Sequence, residues 1–470
     1  MNIFEYFKKK GIDTVDASFY AKIAEWDSWY RSNVKKFHFY RVYSGRGTHT
    51  RCRRHSMGMA KKVSQDMADL LLNERVTITI SDKATDNYVK NVLSDAKFQT
   101  LGNEYQERKA AKGTVAYVPY ITGSLDDDGN IIDGEVKINY LEAQNIFPIS
   151  WENGVVKECA FVFPKTYLRK SYAQIQFHRI EGGQYVIENA VVECTKGAGT
   201  ELTPEEWKRI PAFAELASRV NTGSMERQFV IDRLNIVNNA SEDDTNPMGI
   251  SIFANSIDTL RKLDLEYDSY ANEFSLGRKR IFVAPEMIAD KSGNPTFDPN
   301  DTVFYQLPED YMNNAKDPLK EVNMELRAEE HSKAINDDLN YLSFKCGFGT
   351  ERYKFDGGNI TTATQVISEN SDMYRNITKH EIVLDEVLKE LIRIIIRLGI
   401  VTNVPGLNPD TEITVNFDDS IIEDKESERE QDRKDVAMGV MRLEEYRAKW
   451  YGETLEEAAK NLPEPAQVEE

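Results

Sequence analysis

Three hydrophobic patterns follow one another along the chain. The first is a mixture of short periods. "MAKKVSQDMADLLLNE" (59–74) sets Met59, Val63, Met67, Leu70 and Leu71 at helical spacing, and "RVTITIS" directly after it alternates as a strand does. "GTVAYVPYI", "GEVKINYLE", "VVKECAFVF", "QIQFHRI" and "QYVIENAVVE" read as further strands, with glycine turns between several of them. Helices and strands in irregular succession predict an α+β body.

The second pattern is a single narrow stripe. In "SIFANSIDTLRKLDLEYDSYANEFSLGRKR" (251–280), Phe253, Ile257, Leu260, Leu263, Tyr267, Tyr270 and Phe274 recur every three or four positions, with Ser251 placed to cap the start and Gly277 the end. Such a helix is a rod of roughly 35–40 Å with one seam, and it needs a partner. "KEVNMELRAEEHSKAINDDLNYLSF" (320–344) supplies one through Val322, Leu326, Ile335, Leu339 and Leu342. Between the two lies "RIFVAPEMIADKSGNPTFDPNDTVFYQL", a β-rich insert in which "DKSGNP" reads as a hairpin tip.

The third pattern follows the glycine-punctuated loop in "FKCGFGTERYKFDGGN" (344–359) and is one helix from about Thr361 to Leu398, on the order of 55 Å long. Thr362 and Gln365 have capping-box spacing. The later part is apolar on several sides (Ile382, Val383, Leu384, Val387, Leu388, Leu391, Ile392, Ile394 to Ile396, Leu398), which predicts burial, whereas "SENSDMYRN" is polar. "TEITVNF" (411–417) reads as a strand returning to the body. The tail reads as two or three acidic helices broken near Gly439 and Gly452.

At 470 residues the chain exceeds one ordinary core. No segment is apolar enough to span a membrane: "VLDEVLKELIRIIIRLGIV" (383–401) is interrupted by six charges. Four scattered cysteines without a CxxC pair suit reduced thiols, and the expected site of synthesis and action is a cytoplasm. The formal charge of −19 argues against a protein that clamps duplex DNA by neutralising its phosphates. It leaves DNA open as something to be passed. One block is opposite in sign: from Arg31 to Lys62 there are ten Lys or Arg residues and no carboxylate. It is either an arm for an acidic partner or a solvated surface balancing acidic neighbours.

Catalytic motifs are sparse. A phosphate-cradling loop needs a Gly-Lys pair followed by Ser or Thr, and the chain has no Gly-Lys pair. "GFGTER" supplies only GxG, after a helix and not after a strand. "SLDDDGNIIDGE" sets Ser124, Asp126, Asp128, Gly129, Ile131 and Glu135 at calcium-loop positions, but its strand-like flanks favour an Asp-Gly turn. "HTRCRRH" offers His49, Cys52 and His55 at zinc-like spacing without a fourth ligand. Neither a metal nor another cofactor is expected, and no enzyme.

The order of parts, together with "MAKKVSQDMADLLLNE", "FANSIDTLRKLDLEYDSYANEF", "GGNITTATQVISENSDMYRNI" and "RKDVAMGVMRLEEYRAKWYGETLEEAAKNL", resembles the portal proteins of tailed bacteriophages over nearly the whole chain. The resemblance implies a wing (1–250), a stem helix (251–277), a clip (278–325), a second stem helix (326–346), a tunnel loop (347–360), a long helix with its return strand (361–420) and a helical crown and tail (421–470). In the loop, Gly347, Gly349, Arg352, Lys354, Gly357, Gly358 and Asn359 are implied to line a DNA channel, with Arg278, Lys279, Arg280 and Lys333 as further channel cations. Ile257, Leu260, Leu263, Tyr267 and Leu339 are implied to pack neighbouring copies into a ring. Asp290, Lys291 and Asn294 mark the clip tip.

The implied partners are further copies of the chain in a dodecameric ring, double-stranded DNA passing without sequence preference, the terminase large subunit, a head-tail adaptor, and scaffolding and major capsid protein. The implied location is the capsid vertex of the virion, after assembly in the host cytoplasm. Two other readings stay open: a nucleic-acid-processing enzyme with an unrecognised metal site, and a structural adaptor of another kind.

Overall fold

The computed structural model describes residues 3–43, 49–73, 75–125, 131–194, 199–277, 280–283, 304–306, 319–355, 363–417, 425–451 and 454–462. Helices α1 (Ile3–Lys9), α2 (Ala17–Tyr30) and α3 (Lys35–His38) lead into a hairpin of β1 (Phe39–Tyr43) and β2 (His49–Arg53). Helix α4 (Met59–Leu71) buries the five apolar residues its spacing singles out, and β3 (Thr77–Ile80) follows it. Helices α5 (Lys83–Asp95) and α6 (Phe98–Lys112) come next and touch each other.

The sheets of the body are β4 (Thr114–Leu125) and β5 (Ile131–Glu142), then β6 (Ile146–Glu152), β7 (Val155–Tyr167), β8 (Lys170–Glu181), β9 (Gln184–Glu193), β10 (Thr200–Leu202), β11 (Arg219–Asn221) and β12 (Val230–Arg233), with the short helix α7 (Pro204–Trp207) between β10 and β11. They form a six-stranded sheet in the order β10-β9-β8-β7-β6 with β11 on β9, and a three-stranded sheet β12-β4-β5. All five strands expected from alternation in this region are present. A small separate core of Tyr172, Val191, Trp207 and Phe213 closes over the end of the larger sheet.

Helix α8 (Ile257–Leu276) leaves the body, and β13 (Arg280–Val283), β14 (Phe304–Gln306) and β15 (Leu319–Val322) form a three-stranded sheet at its far end. Helix α9 (Ala328–Lys345) returns. In this sheet β13 runs parallel to β14 and antiparallel to β15. The "DKSGNP" stretch itself lies outside the described residues, as do Asp290, Lys291 and Asn294.

Helix α10 (Ala363–Val401) is the longest, 39 residues and about 58 Å. It packs on α4, α5, β4, β5 and β12, with Leu384, Leu388, Leu391, Ile392 and Ile394 to Ile396 in the core. Ile382, expected to be buried with them, is exposed; it sits on the opposite face from Leu384 and Leu388. The Thr362 cap lies outside the described residues. The strand read in "TEITVNF" is β16 (Ile413–Asn416), and it pairs antiparallel with β3, so a segment more than 300 residues downstream completes the sheet begun after α4. Three short helices end the described chain, at Lys425–Ala437, Leu443–Tyr451 and Leu455–Lys460.

Polar pairs hold the centre of the body. Lys109 on α6 is fully buried and bonds both carboxylate oxygens of Asp232 on β12, at 2.9 and 3.1 Å. Gln106 donates to Asp232 and to the Tyr117 hydroxyl. Lys112 pairs with Asp27 at 2.7 Å and with Glu142. Burial pulls both lysines down from their ordinary values, opposed by Asp232 at Lys109 and by Asp27 at Lys112. Just beyond Asp232, the Asn235 N–H donates to Nδ1 of the buried His380 on α10, so the long helix is fastened to the same cluster.

Candidate functional site

The region most unlike the body is the α8–α9 pair, its distal sheet and the loop behind it. Its two helices are antiparallel, because contacts run in opposite directions along them. At the far end Arg327 grips Glu273 through two bonds of 3.0 and 2.9 Å; midway Lys262 reaches Asp338 at 2.8 Å; at the near end the Lys345 ammonium donates to the Asn255 carbonyl. The Arg327 guanidinium holds the Glu273 carboxyl down to about 2. Between these ties Leu260 and Leu263 meet Ile335, Leu339 and Leu342, all buried.

Two details of the expected boundaries change. Helix α8 starts at Ile257 after a 3-10 turn at Ala254–Ser256, and Ser251 bonds Ala110 O and Phe253 N in that approach without capping the helix. Val322 and Leu326 fall outside α9: Val322 ends β15, and Leu326 is exposed ahead of the helix.

The expected ring-packing seam also needs correction. Leu260, Leu263 and Leu339 are at most 3% exposed in a single copy, so they join α8 to α9 and cannot face a neighbour. Ile257 is half-buried against the same interior, and Tyr267 is half-buried and edge-on to Phe355 at 6.2 Å. A different set of apolar side chains points outward: Leu265 and Phe274 on α8, Tyr341 and Phe344 on α9, and Met324 and Leu326 just before α9. Periodicity identifies which residues are apolar on a helix. It does not say whose core they enter.

The first half of the loop folds back against the pair. Phe355 packs edge-on to Tyr270 at 5.5 Å and donates its N–H to Asn336 at 2.7 Å, while Phe348 and Tyr353 are buried 6.1 Å apart. Gly347 turns the chain with φ +80°, and a Cβ there would require the Asn376 side chain of α10 to move aside, so the position favours glycine. Gly349 also has a positive φ, +77°. These two glycines therefore set a rigid corner where α9 gives way to the loop. Gly357, Gly358 and Asn359 lie outside the described residues.

Of the expected channel cations, Lys333 and Arg352 are exposed. Lys354 is tied to Glu351 at 3.0 Å, which cancels much of its charge locally. Arg280 lies in β13 opposite Val322, and Arg278 and Lys279 lie outside the described residues. Among the described residues no three His, Cys, Asp or Glu side chains converge to hold a metal. His49, Cys52 and His55 belong to the hairpin and its exit. The Ile131 and Glu135 of the calcium-like stretch lie in β5 of a strand pair, while Asp126, Asp128 and Gly129 fall outside the described residues. No described helix is long and apolar enough to cross a membrane.

Spacing gave no sign of one further feature. The polar side of α8 holds the basic hairpin: the buried Asp264 accepts bonds from His38 Nε2, Ser56 Oγ and Met57 N, all at 2.9–3.0 Å, and Asp268 accepts from His55 N at 3.0 Å. Val34 N–H donates to the other His38 nitrogen, which leaves the ring proton on Nε2, aimed at Asp264. Aspartates inside an apolar stripe were the available signal.

A family model described as "Phage portal protein, SPP1 Gp6-like" matches residues 10–465. No curated protein sequence matches the chain.

Proposed function

Since the chain belongs to the SPP1 Gp6-like phage portal proteins, a structural family of the virion capsid, we propose that copies of it close into a ring at one capsid vertex and form the conduit for double-stranded DNA. The observation that carries this reading is the antiparallel α8–α9 pair with a small sheet at its far end, a glycine-cornered loop at its near end and the long α10 behind. Such a pair makes a stave. Its inner seam is already satisfied within one copy, and its outer apolar residues Leu265, Phe274, Tyr341 and Phe344 offer a neighbour a repeated head-to-tail contact, which gives a ring when the rotation closes.

In this reading residues 1–250 form the wing, α8 and α9 the stem, 278–325 the clip that meets the terminase and later the head-tail adaptor, 347–360 the tunnel loop, and 421–470 the crown. Scaffolding and major capsid protein would meet the wing, and the ring would be dodecameric in the capsid. A net charge of −19 suits passage: each phosphate neutralised by a fixed cation adds binding free energy that a sliding duplex must give up. The role is structural, and the ATP chemistry belongs to the motor that docks on the clip.

The test is packaging by rings lacking Gly357 and Gly358. Assembly is expected to be unchanged and the amount of DNA packaged or retained to fall several-fold. Normal packaging by these rings would remove the tunnel-loop assignment.

A further inference from the structure

The hairpin β1–β2 has an electrostatic problem that the described residues of one copy do not solve. Directly opposed residues of an antiparallel pair share a face. The register puts Arg41 opposite Arg51, Phe39 opposite Arg53 and Tyr43 opposite His49, so one face carries three guanidiniums and no carboxylate. Like charges directly opposed destabilise a strand pair, and an isolated two-stranded hairpin is marginal to begin with. Arg51 and Arg53 rest over the Phe39 ring at 4.6 and 5.8 Å, which orders them without neutralising them.

Among the described residues, Arg41, Arg51 and Arg53 meet no carboxylate within ion-pair distance, and each strand of the hairpin pairs only with the other, leaving both outer edges open. Val42 and Tyr43 at its tip are 45% and 67% exposed. The base, by contrast, is fixed to α8 through Asp264 and Asp268. This is a rigidly rooted arm with an unsatisfied cationic, partly apolar end.

We infer that this arm is a clasp that docks on an acidic surface of a second copy of the chain, its arginine face meeting that copy's carboxylates. The charge ledger selects the occupant. The block from Arg31 to Lys62 carries ten of the chain's cations and no carboxylate, so the remaining residues carry −29 of the −19 total. Copies with such bodies repel one another when brought side by side. A ring of them needs a cationic element at every interface, and the hairpin is the concentrated source of positive charge. Duplex DNA is the less favoured occupant because the same −29 would oppose its approach, and because the exposed Val42 and Tyr43 have no role on a phosphate backbone.

The inference rests on the ring reading and is tested apart from it. The full-length triple variant R41E/R51E/R53E is compared with R41K/R51K/R53K and the unaltered chain by mass photometry over a range of salt concentrations, with circular dichroism melts as a check on folding. The expected result is rings from the unaltered chain and the lysine variant, and at least a tenfold loss of the ring fraction in the glutamate variant with its melt retained. A photo-crosslinking residue at Tyr43, which shares the arginine face, is expected to give adducts between copies. Equal ring fractions in all three, or adducts only within one copy, would overturn the clasp while leaving the ring in place. If the glutamate variant fails to fold, the Tyr43 adducts decide alone. Unimpaired rings that lose DNA retention would overturn it in favour of nucleic acid. If the unaltered chain forms no rings, the ring reading itself fails.

Discussion

The body and the α8–α9 pair, the stem of the proposed ring, answer their charges in opposite ways. In the body the charges go inside and are answered there, Lys109 by Asp232 and Lys112 by Asp27 and Glu142, and the buried neutral His178 bonds Tyr185 and Gln176. In the stem the ion pairs Arg327–Glu273 and Lys262–Asp338 bridge the surface of the helix pair, while aromatic side chains such as Tyr341 and Phe344 are left facing out. Buried ionic networks fix one arrangement of elements and lose heavily when one partner is removed. Exposed apolar rows contribute little until something covers them. In the proposed ring, neighbours would cover the outward aromatic residues of the α8–α9 pair, whereas the buried ion pairs of the body are answered within one copy.

The strongest way to break that contrast is Asp232→Ala. It leaves the Lys109 ammonium buried without its carboxylate, and a loss of about 3–5 kcal/mol is expected in chemical denaturation of the chain. Leu263→Asp belongs in the same class, because Leu263 is wholly buried within one copy: it is expected to destabilise the stem pair itself and to show as an earlier melt, before any effect on assembly is read.

The opposite behaviour is expected of Tyr341→Ser with Phe344→Ser. Exposed aromatic anchors of an interface cost about 2 kcal/mol or more each on truncation, so rings should be lost while the melting temperature of the protomer moves by little. Mass photometry beside a thermal melt separates the two readouts. A large fall in protomer stability would place these residues in the internal core.

Acid sharpens the comparison. Burial lowers His178 and His380 from 6.5 to about 3, so between those values the unfolded chain binds protons that the folded chain refuses. Stability then falls as pH falls below about 6.5, by up to about 1.4 kcal/mol per pH unit for each histidine. Glu273 is lowered from 4.5 to about 2 by Arg327, so the stem ion pair keeps its contribution above about 4.5 and loses it as pH falls toward 2. Acid melts monitored by body tryptophans should weaken first, and stem-specific probes later. The reverse order would contradict the assignment of the two histidines as buried and neutral.

The smallest effect expected is from Gly347→Ala. A positive φ and the nearby Asn376 side chain both oppose a Cβ, for a loss of about 1–2 kcal/mol confined to the corner between α9 and the loop. Hydrogen exchange across residues 344–355 would locate it.

Much of this organisation was legible in the sequence. The α8 and α9 stripes are narrow and regular, the apolar part of α10 is unmistakable, and the β-branched alternation of β3 and β16 marks both as strands. Other elements were hidden for physical reasons. Helix α6 buries Gln106, Lys109 and Lys112 among its alanines, so its inward face looks polar and no apolar stripe appears. The parallel pairing of β13 with β14 depends on a crossover that turn residues do not encode. Within α8, Leu263 and Leu265 look alike as letters, yet one is wholly buried and the other 47% exposed. Asp264 and Asp268 read as interruptions of the stripe, and they are the anchors of the hairpin.

The central claim is that these chains stand side by side around an open axis, and electron microscopy of the purified, full-length protein under low-salt associating conditions tests it most directly. The account predicts stemmed rings with a continuous bore wide enough for a DNA duplex. Single particles only, or closed assemblies with no bore, would contradict it.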